Sequence, residues 1–185
     1  LSQARVRRGD VAAARAALDL APRQPTDASV ASRLEAQRGH LALFQGRVSE
    51  AREHLVTAGR IPGGDPGERT EILLFLDVFS RADSADVAEL GRGIYALRAQ
   101  DDPGPLTASV ERWAGRAAEP DAAAGLMRLA AGALERDGHD ERARVARRRL
   151  VESFPDTPEA TGAMLALARA ALPGQPGVAR QWLQK

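Results

Sequence analysis

Apolar positions along this chain recur at the spacing of amphipathic helices, and short polar signals break the pattern into segments. Five turn signals are each followed by an alanine-rich amphipathic stretch: Gly9-Asp10, Gly46-Arg47, Asp83-Ser84, Gly138-His139 and Gly174-Gln175. Their spacings are 37, 37, 55 and 36 residues. Three of the four fit a repeating helix–turn–helix unit of about 34 residues with slightly long loops. The long interval equals a unit plus roughly one extra helix, and Leu106 to Ala118 is the stretch that supplies it. The expected fold is all-α, a helical-repeat solenoid of antiparallel helix pairs.

Two segments carry the pattern in most detail. After Ser32 come small Gly39, turn Gly46, then Ala51, Leu55 and Ala58, with Pro62 as the stop. After Ala124 come small Ala131, turn Gly138, then Ala143 and Leu150, with Pro155 as the stop. Paired helices approach closely only where the crossing carries Gly or Ala, with larger residues filling the space beside it. Proline then ends the second helix by removing a donor. In these residues the chain resembles the tetratricopeptide repeat (TPR) superfamily over most of its length. The resemblance implies a single array over 1–185: a partial unit at 1–24, units at 26–63 and 67–103 (degenerate), an extra helix at 105–118, a unit at 121–157 and a truncated one at 158–185.

In the degenerate unit, Ile72, Leu73, Leu74, Phe75, Leu76, Val78 and Phe79 crowd every face of the helix. Such a helix is expected to be buried on all sides. The run Phe154-Pro155-Asp156-Thr157-Pro158-Glu159-Ala160 resembles the inter-repeat junction of bacterial cell-envelope repeat proteins, such as outer-membrane assembly lipoproteins and cell-division coordinators. That favours periplasm or cell envelope over cytoplasm. Helix starts agree with the layout. Asp65-Pro66-Gly67-Glu68 and Thr157-Pro158-Glu159 place a capping residue before a first-turn proline, and Asp121 and Asp140 are further candidate caps.

Composition narrows the function. The 185 residues carry 26 Lys+Arg against 25 Asp+Glu, so a net charge of +1 makes no case for nucleic acid or an anionic membrane. Alanine occurs 37 times, and only 4% of residues are aromatic, which favours helix over sheet. Nearly all the basic residues are arginine, a composition read as the codon bias of a GC-rich bacterial genome. No cysteine is present, which removes disulfides, thiolate metal sites and cysteine nucleophiles together. The longest nearly apolar run, Ile72 to Phe79, contains Asp77 and is too short to cross a bilayer. The chain begins at Leu1 rather than methionine and stops within an apparent helix at Lys185, so it reads as a fragment or a processed chain.

Catalytic motifs are missing. There is no phosphate-cradling GxxxxGK[ST] and no GxSxG elbow, and Gly91-Arg92-Gly93 lacks both a third glycine and a preceding strand. His40, His54 and His139 lie on different elements without a metal-binding spacing, so neither metal nor cofactor is expected. His139-Asp140-Glu141 reads as a turn and helix start. Arg142, Arg144, Arg147, Arg148 and Arg149 fall outside the stripe Ala143, Ala146, Leu150 and Phe154, as a solvated face with Glu141 and Glu152 as partners. Trp113 and Trp182 read as core or inter-repeat packing.

The resemblance implies a non-enzymatic interaction scaffold whose first helices line a concave groove. Carried onto the matching positions, its groove residues are Arg33, Gln37, His40 and Phe44, then Arg128, Glu135 and Arg136. Arg and Gln would hold a peptide's backbone or carboxylates, and Phe44 would give an apolar contact. The chaperone-tail receptors of the family use lysines and asparagines for a terminal carboxylate, and this chain has neither there. His40 would line the groove, since it has no nucleophile or second acid to serve as a base. The alternative is a structural subunit packed permanently within a larger, possibly cell-envelope, assembly.

Overall fold

The computed structural model describes residues 10–20, 27–62, 65–100, 102–117 and 119–184. The start of the partial first unit, with the turn residue Gly9, and Ala118 at the end of the extra helix lie outside the described residues. Every regular element among the described residues is a helix, and neighbouring helices pack in pairs. In chain order they are α1 (Val11–Asp19), α2 (Ala28–Phe44), α3 (Val48–Arg60), α4 (Pro66–Arg81), α5 (Ser84–Gln100), α6 (Gly104–Ala117), α7 (Pro120–Arg136), α8 (Asp140–Ser153), α9 (Pro158–Ala171) and α10 (Pro176–Leu183). They form two compact parts, divided within α6 between Ser109 and Val110.

In the N-terminal part, α2 and α3 make a tight hairpin, with α1 and α5 on α2 and α4 on α3. Glycine closes the turn. Gly46 has φ 72°, a left-handed conformation that costs glycine nothing. Its N–H donates to Leu43 O at 2.9 Å, and the Arg47 N–H reaches back to Ala42 O at 2.9 Å. These paired bonds satisfy carbonyls that the end of α2 leaves open. Further along, a Cβ on Gly39 would lie 2.8 Å from Leu55 Cγ and 3.2 Å from Ala51 O. The close crossing therefore falls on Gly39, as its position in the pattern indicates. At the far end, the buried Ser32 hydroxyl donates to Ala58 O at 3.1 Å.

The C-terminal part repeats this construction. α7 and α8 form a hairpin, α9 packs on both, and α10 packs on α9. Gly138 has φ 79°. Its N–H donates to Glu135 O at 3.0 Å, and the His139 N–H donates to Leu134 O at 2.8 Å. Ala131 and Ala143 are both buried, and so are Ala146, Leu150 and Phe154, the stripe read from helical spacing. Trp113 is buried as well.

Several expectations need correction. The apolar helix α4 is not enclosed: Ile72, Phe75, Val78 and Phe79 are buried, but Leu73 is 59% exposed. Enclosure on every side is found instead in the early turns of α7, where Ala122 through Met127 are buried without interruption. Small side chains let neighbours close in from several directions, whereas large ones fill a single face and hold the rest away. Asp65 and Thr157 do cap α4 and α9, accepting from Glu68 N at 2.9 Å and Ala160 N at 3.3 Å. Asp121 and Asp140 lie inside their helices instead, after capping positions Glu119 and His139. There they meet the helix dipole favourably. Gly91-Arg92-Gly93 belongs to α5, with no loop to hold a nucleotide. A Cβ on Gly91 would sit 2.8 Å from Leu43 O, and one on Gly93 2.6 Å from Leu106 Cα. The two glycines admit neighbours on nearly opposite faces of one helix.

Candidate functional site

Arg33, Gln37, His40 and Phe44 follow one another at helical spacing and share a face of α2. Exposure falls along this face. Arg33 is exposed, Gln37 half-buried, His40 buried and Phe44 half-buried. His40 is covered by α4 and α5, and so gives no open groove contact. Phe75 meets its ring edge-on at a centroid distance of 5.5 Å, and Phe44 stacks at 6.5 Å. Arg98 of α5 approaches Nδ1 at 3.4 Å, Glu71 Oε1 of α4 lies 3.4 Å from Nε2, and Arg98 and Glu71 are themselves paired.

This environment sets the charge of the imidazole. Burial, and then the Arg98 guanidinium, hold the His40 pKa well below the ordinary value of 6.5. Arginine can only donate, so Nδ1 is the acceptor and Nε2 carries the hydrogen. Nε2 is enclosed without a well-directed bond among the described residues, since Glu71 stands at contact distance but out of line. A neutral histidine boxed in this way is a packing group with a polar edge, not a base offered to substrate.

Phe44 turns to the interior as well. It packs on the cluster of Ala14, Leu18 and Leu41, with its ring centroid 5.5 Å from that of Tyr95. At the other end, Arg33 lies near Glu68, whose carboxyl is raised above its usual value, first by burial and against the pull of Arg33. The accessible part of the α2 face is thus Arg33, Gln37 and the acids at the start of α4. Glu71, Arg98 and Tyr95 complete the cluster and were not singled out from sequence. The available signal was a charge standing among the apolar positions of α4 and α5.

The second set lies on α7 in the C-terminal part. Arg128, Glu135 and Arg136 are all exposed. Glu135 is engaged by Arg147 of α8 at 2.5 Å. Arg142, Arg148 and Arg149 of α8 are exposed as expected, whereas Arg144 and Arg147 are half-buried, and the partners are spread wider than Glu141 and Glu152. Arg144 pairs with Glu141 at 2.5 Å, while Arg149 binds Glu111 of α6 at 2.6 and 3.0 Å. The Ser153 hydroxyl donates to the same carboxylate at 2.8 Å. These bonds, Arg149 foremost, lower the Glu111 pKa.

Each part also has a cleft. In the N-terminal part a cleft of about 630 Å³ lies between α1, α2 and α3, with Arg15, Arg38, Arg47, Glu50 and His54 around it. Its charges are largely paired internally: Arg15 meets Glu50 at 3.5 Å, and Arg38 meets Glu35 at 2.5 Å. In the C-terminal part a cleft of about 350 Å³ lies between α8, α9 and α10, with Trp182 half-buried in its wall. Among the described residues no group of three or more His, Cys, Asp or Glu could hold a metal ion. No described helix is long and apolar enough to cross a membrane.

Fold and site together define an all-helical chain of closely packed helix hairpins with polar and apolar clefts. No protein-family model, curated protein sequence or solved structure matches it.

Proposed function

We propose that the chain is a non-enzymatic protein-interaction scaffold, a TPR-like array that holds a peptide or protein segment along its first helices. The observation that carries this reading is the equivalence of two hairpins far apart in sequence. Gly46 and Gly138 close α2–α3 and α7–α8 with the same left-handed glycine and the same pair of returning bonds. The small residues before each turn, and the buried alanine after it, stand at matching intervals. A unit used twice with one geometry is the construction of helical-repeat proteins, which bind ligands on their first helices. The neutral, enclosed state of His40 supports a binding role over acid–base chemistry.

Selection of peptides from a displayed random library tests the proposal. Binding by selected peptides should fall in Arg33→Glu and Arg128→Glu, both exposed positions whose exchange leaves the core intact. Peptides that bind both variants as they bind the parent would refute the groove. A structural-subunit reading is favoured by one observation, the exposure of Leu172 and Leu183 at 62% and 64%. Sedimentation would support it by showing an obligate assembly that Leu183→Asp disperses.

A further inference from the structure

We propose that the cleft between α8, α9 and α10 binds a short acidic peptide segment that carries one large apolar side chain. The inference rests on the reading of the chain as a peptide-binding protein, but on none of the residues assigned there. Glu141, Arg144 and Arg148 of α8 form one wall, and Leu167, Val178 and Trp182 supply apolar surface opposite. The charges of that wall are unequal in their bonding. Arg144 is held by Glu141 through Nε at 3.0 Å and Nη2 at 2.5 Å. Arg147 and Arg149 are held by Glu135 and Glu111. Among the described residues no carboxylate makes an ion pair with Arg148, and Glu152, one turn on, is near enough to Arg149 to act on it. The cleft therefore has a surplus positive charge beside apolar walls.

Its size limits the occupant. Ligand sites generally run from about 300 to 1,000 Å³, and about 350 Å³ falls at the small end. One aromatic or branched aliphatic side chain fits in that volume. Trp182 offers such a side chain a flat apolar partner, and the Arg148 fork matches a carboxylate from the neighbouring residue. Leu172 and Leu183, adjacent in sequence to Ala171 and Trp182, remain exposed. Positive charge and apolar area together select an acidic peptide as occupant over a basic one.

An array of immobilised decapeptides tests this. One set combines Asp and Glu with a single Phe, Trp or Leu, and a matched set has Lys in place of the acids. The labelled full chain should bind the acidic set, and Arg148→Glu should lower that signal about tenfold, the loss of a charge-assisted hydrogen bond. Val178→Asp should weaken it too, while Arg33→Glu leaves it unchanged, and circular dichroism checks that each variant is folded. Equal binding to both sets, or an unchanged signal in Arg148→Glu, would overturn the inference. A signal lost only in Arg33→Glu would leave the α2 groove standing and remove the cleft. Silence from both sets would count against both sites. A concentration-dependent dimer abolished by Val178→Asp would put a second copy of the chain in the cleft and also overturn the peptide.

Discussion

Gly39→Ala puts the hairpin packing to a direct test, because two opposed effects of known size meet at one atom. Replacing glycine by alanine within a helix normally stabilises by about 1 kcal/mol. Here the added Cβ would stand 2.8 Å from Leu55 Cγ and 3.0 Å from Leu55 Cδ2, with Ala51 O at 3.2 Å. Leu55 is wholly buried, so its branch carbon has no free space to enter, and the carbonyl belongs to the backbone of α3. Overpacking of this kind costs about 1–3 kcal/mol. The sum is a net loss of up to about 2 kcal/mol. Gly59→Ala is the internal control, also helical and in the N-terminal part, where the new Cβ would touch Ile72 Cγ2 at an ordinary 3.5 Å. It keeps the helix gain without the clash. The two variants should differ by about 1–3 kcal/mol, or a few degrees in Tm for a chain of this size. Thermal and urea unfolding followed by circular dichroism measure the difference. If Gly39→Ala melts with Gly59→Ala at or above the parent, α2 and α3 do not cross where Gly39 and Ala51 stand.

Four more outcomes can be checked by unfolding. Ala51→Leu and Ala143→Leu, both at fully buried positions, should each cost about 1–3 kcal/mol. Ala12→Leu and Arg148→Ala are exposed and should stay within about 0.5 kcal/mol of the parent in urea melts. Thr157→Ala removes a buried cap whose hydroxyl donates to Phe154 O at 2.8 Å and accepts from Ala160 N; unfolding should register a loss of about 1–2 kcal/mol. His40 makes stability sensitive to acid. Its folded pKa lies well below 6.5, so under that pH the unfolded chain binds more protons and stability falls as pH falls. Urea midpoints of the parent should therefore fall between pH 7.5 and 5.5, and those of His40→Gln should lack that fall.

What could be read from the sequence was local. Gly46 and Gly138 mark turns because glycine takes their left-handed backbone angles more readily than any other residue, and Asp65 and Thr157 mark helix starts because their side chains reach donors a few positions on. Gly39 and Ala51 were legible for a related reason: a helix pair across a short turn brings together residues close in sequence. The failures lie at longer range. His40 is enclosed by Glu71, Phe75 and Arg98, which other helices bring to it, and nothing in the pattern near His40 announces them. Helix α4 looked enclosed from its own composition, yet burial depends on which faces neighbours reach, and Leu73 faces none. Gly91 and Gly93, already short of a nucleotide-loop motif in the sequence, are clearance for Leu43 and Leu106, and nothing near them in the chain announces those neighbours.

Glycine thus serves two unrelated ends in this chain, and substitutions should sort accordingly. At Gly46 and Gly138 a Cβ would meet nothing within 4 Å, so volume is free and only handedness is constrained. Asparagine, which tolerates left-handed backbone, should be accepted there, while valine of similar bulk should not. At Gly39, Gly91 and Gly93 the φ is ordinary but the room is gone. Asparagine should fail at all three, for want of space rather than chirality. In a mutational library the first pair would tolerate residues by conformational preference and the other three by size, so the tolerated residues alone would tell a turn from a helix crossing.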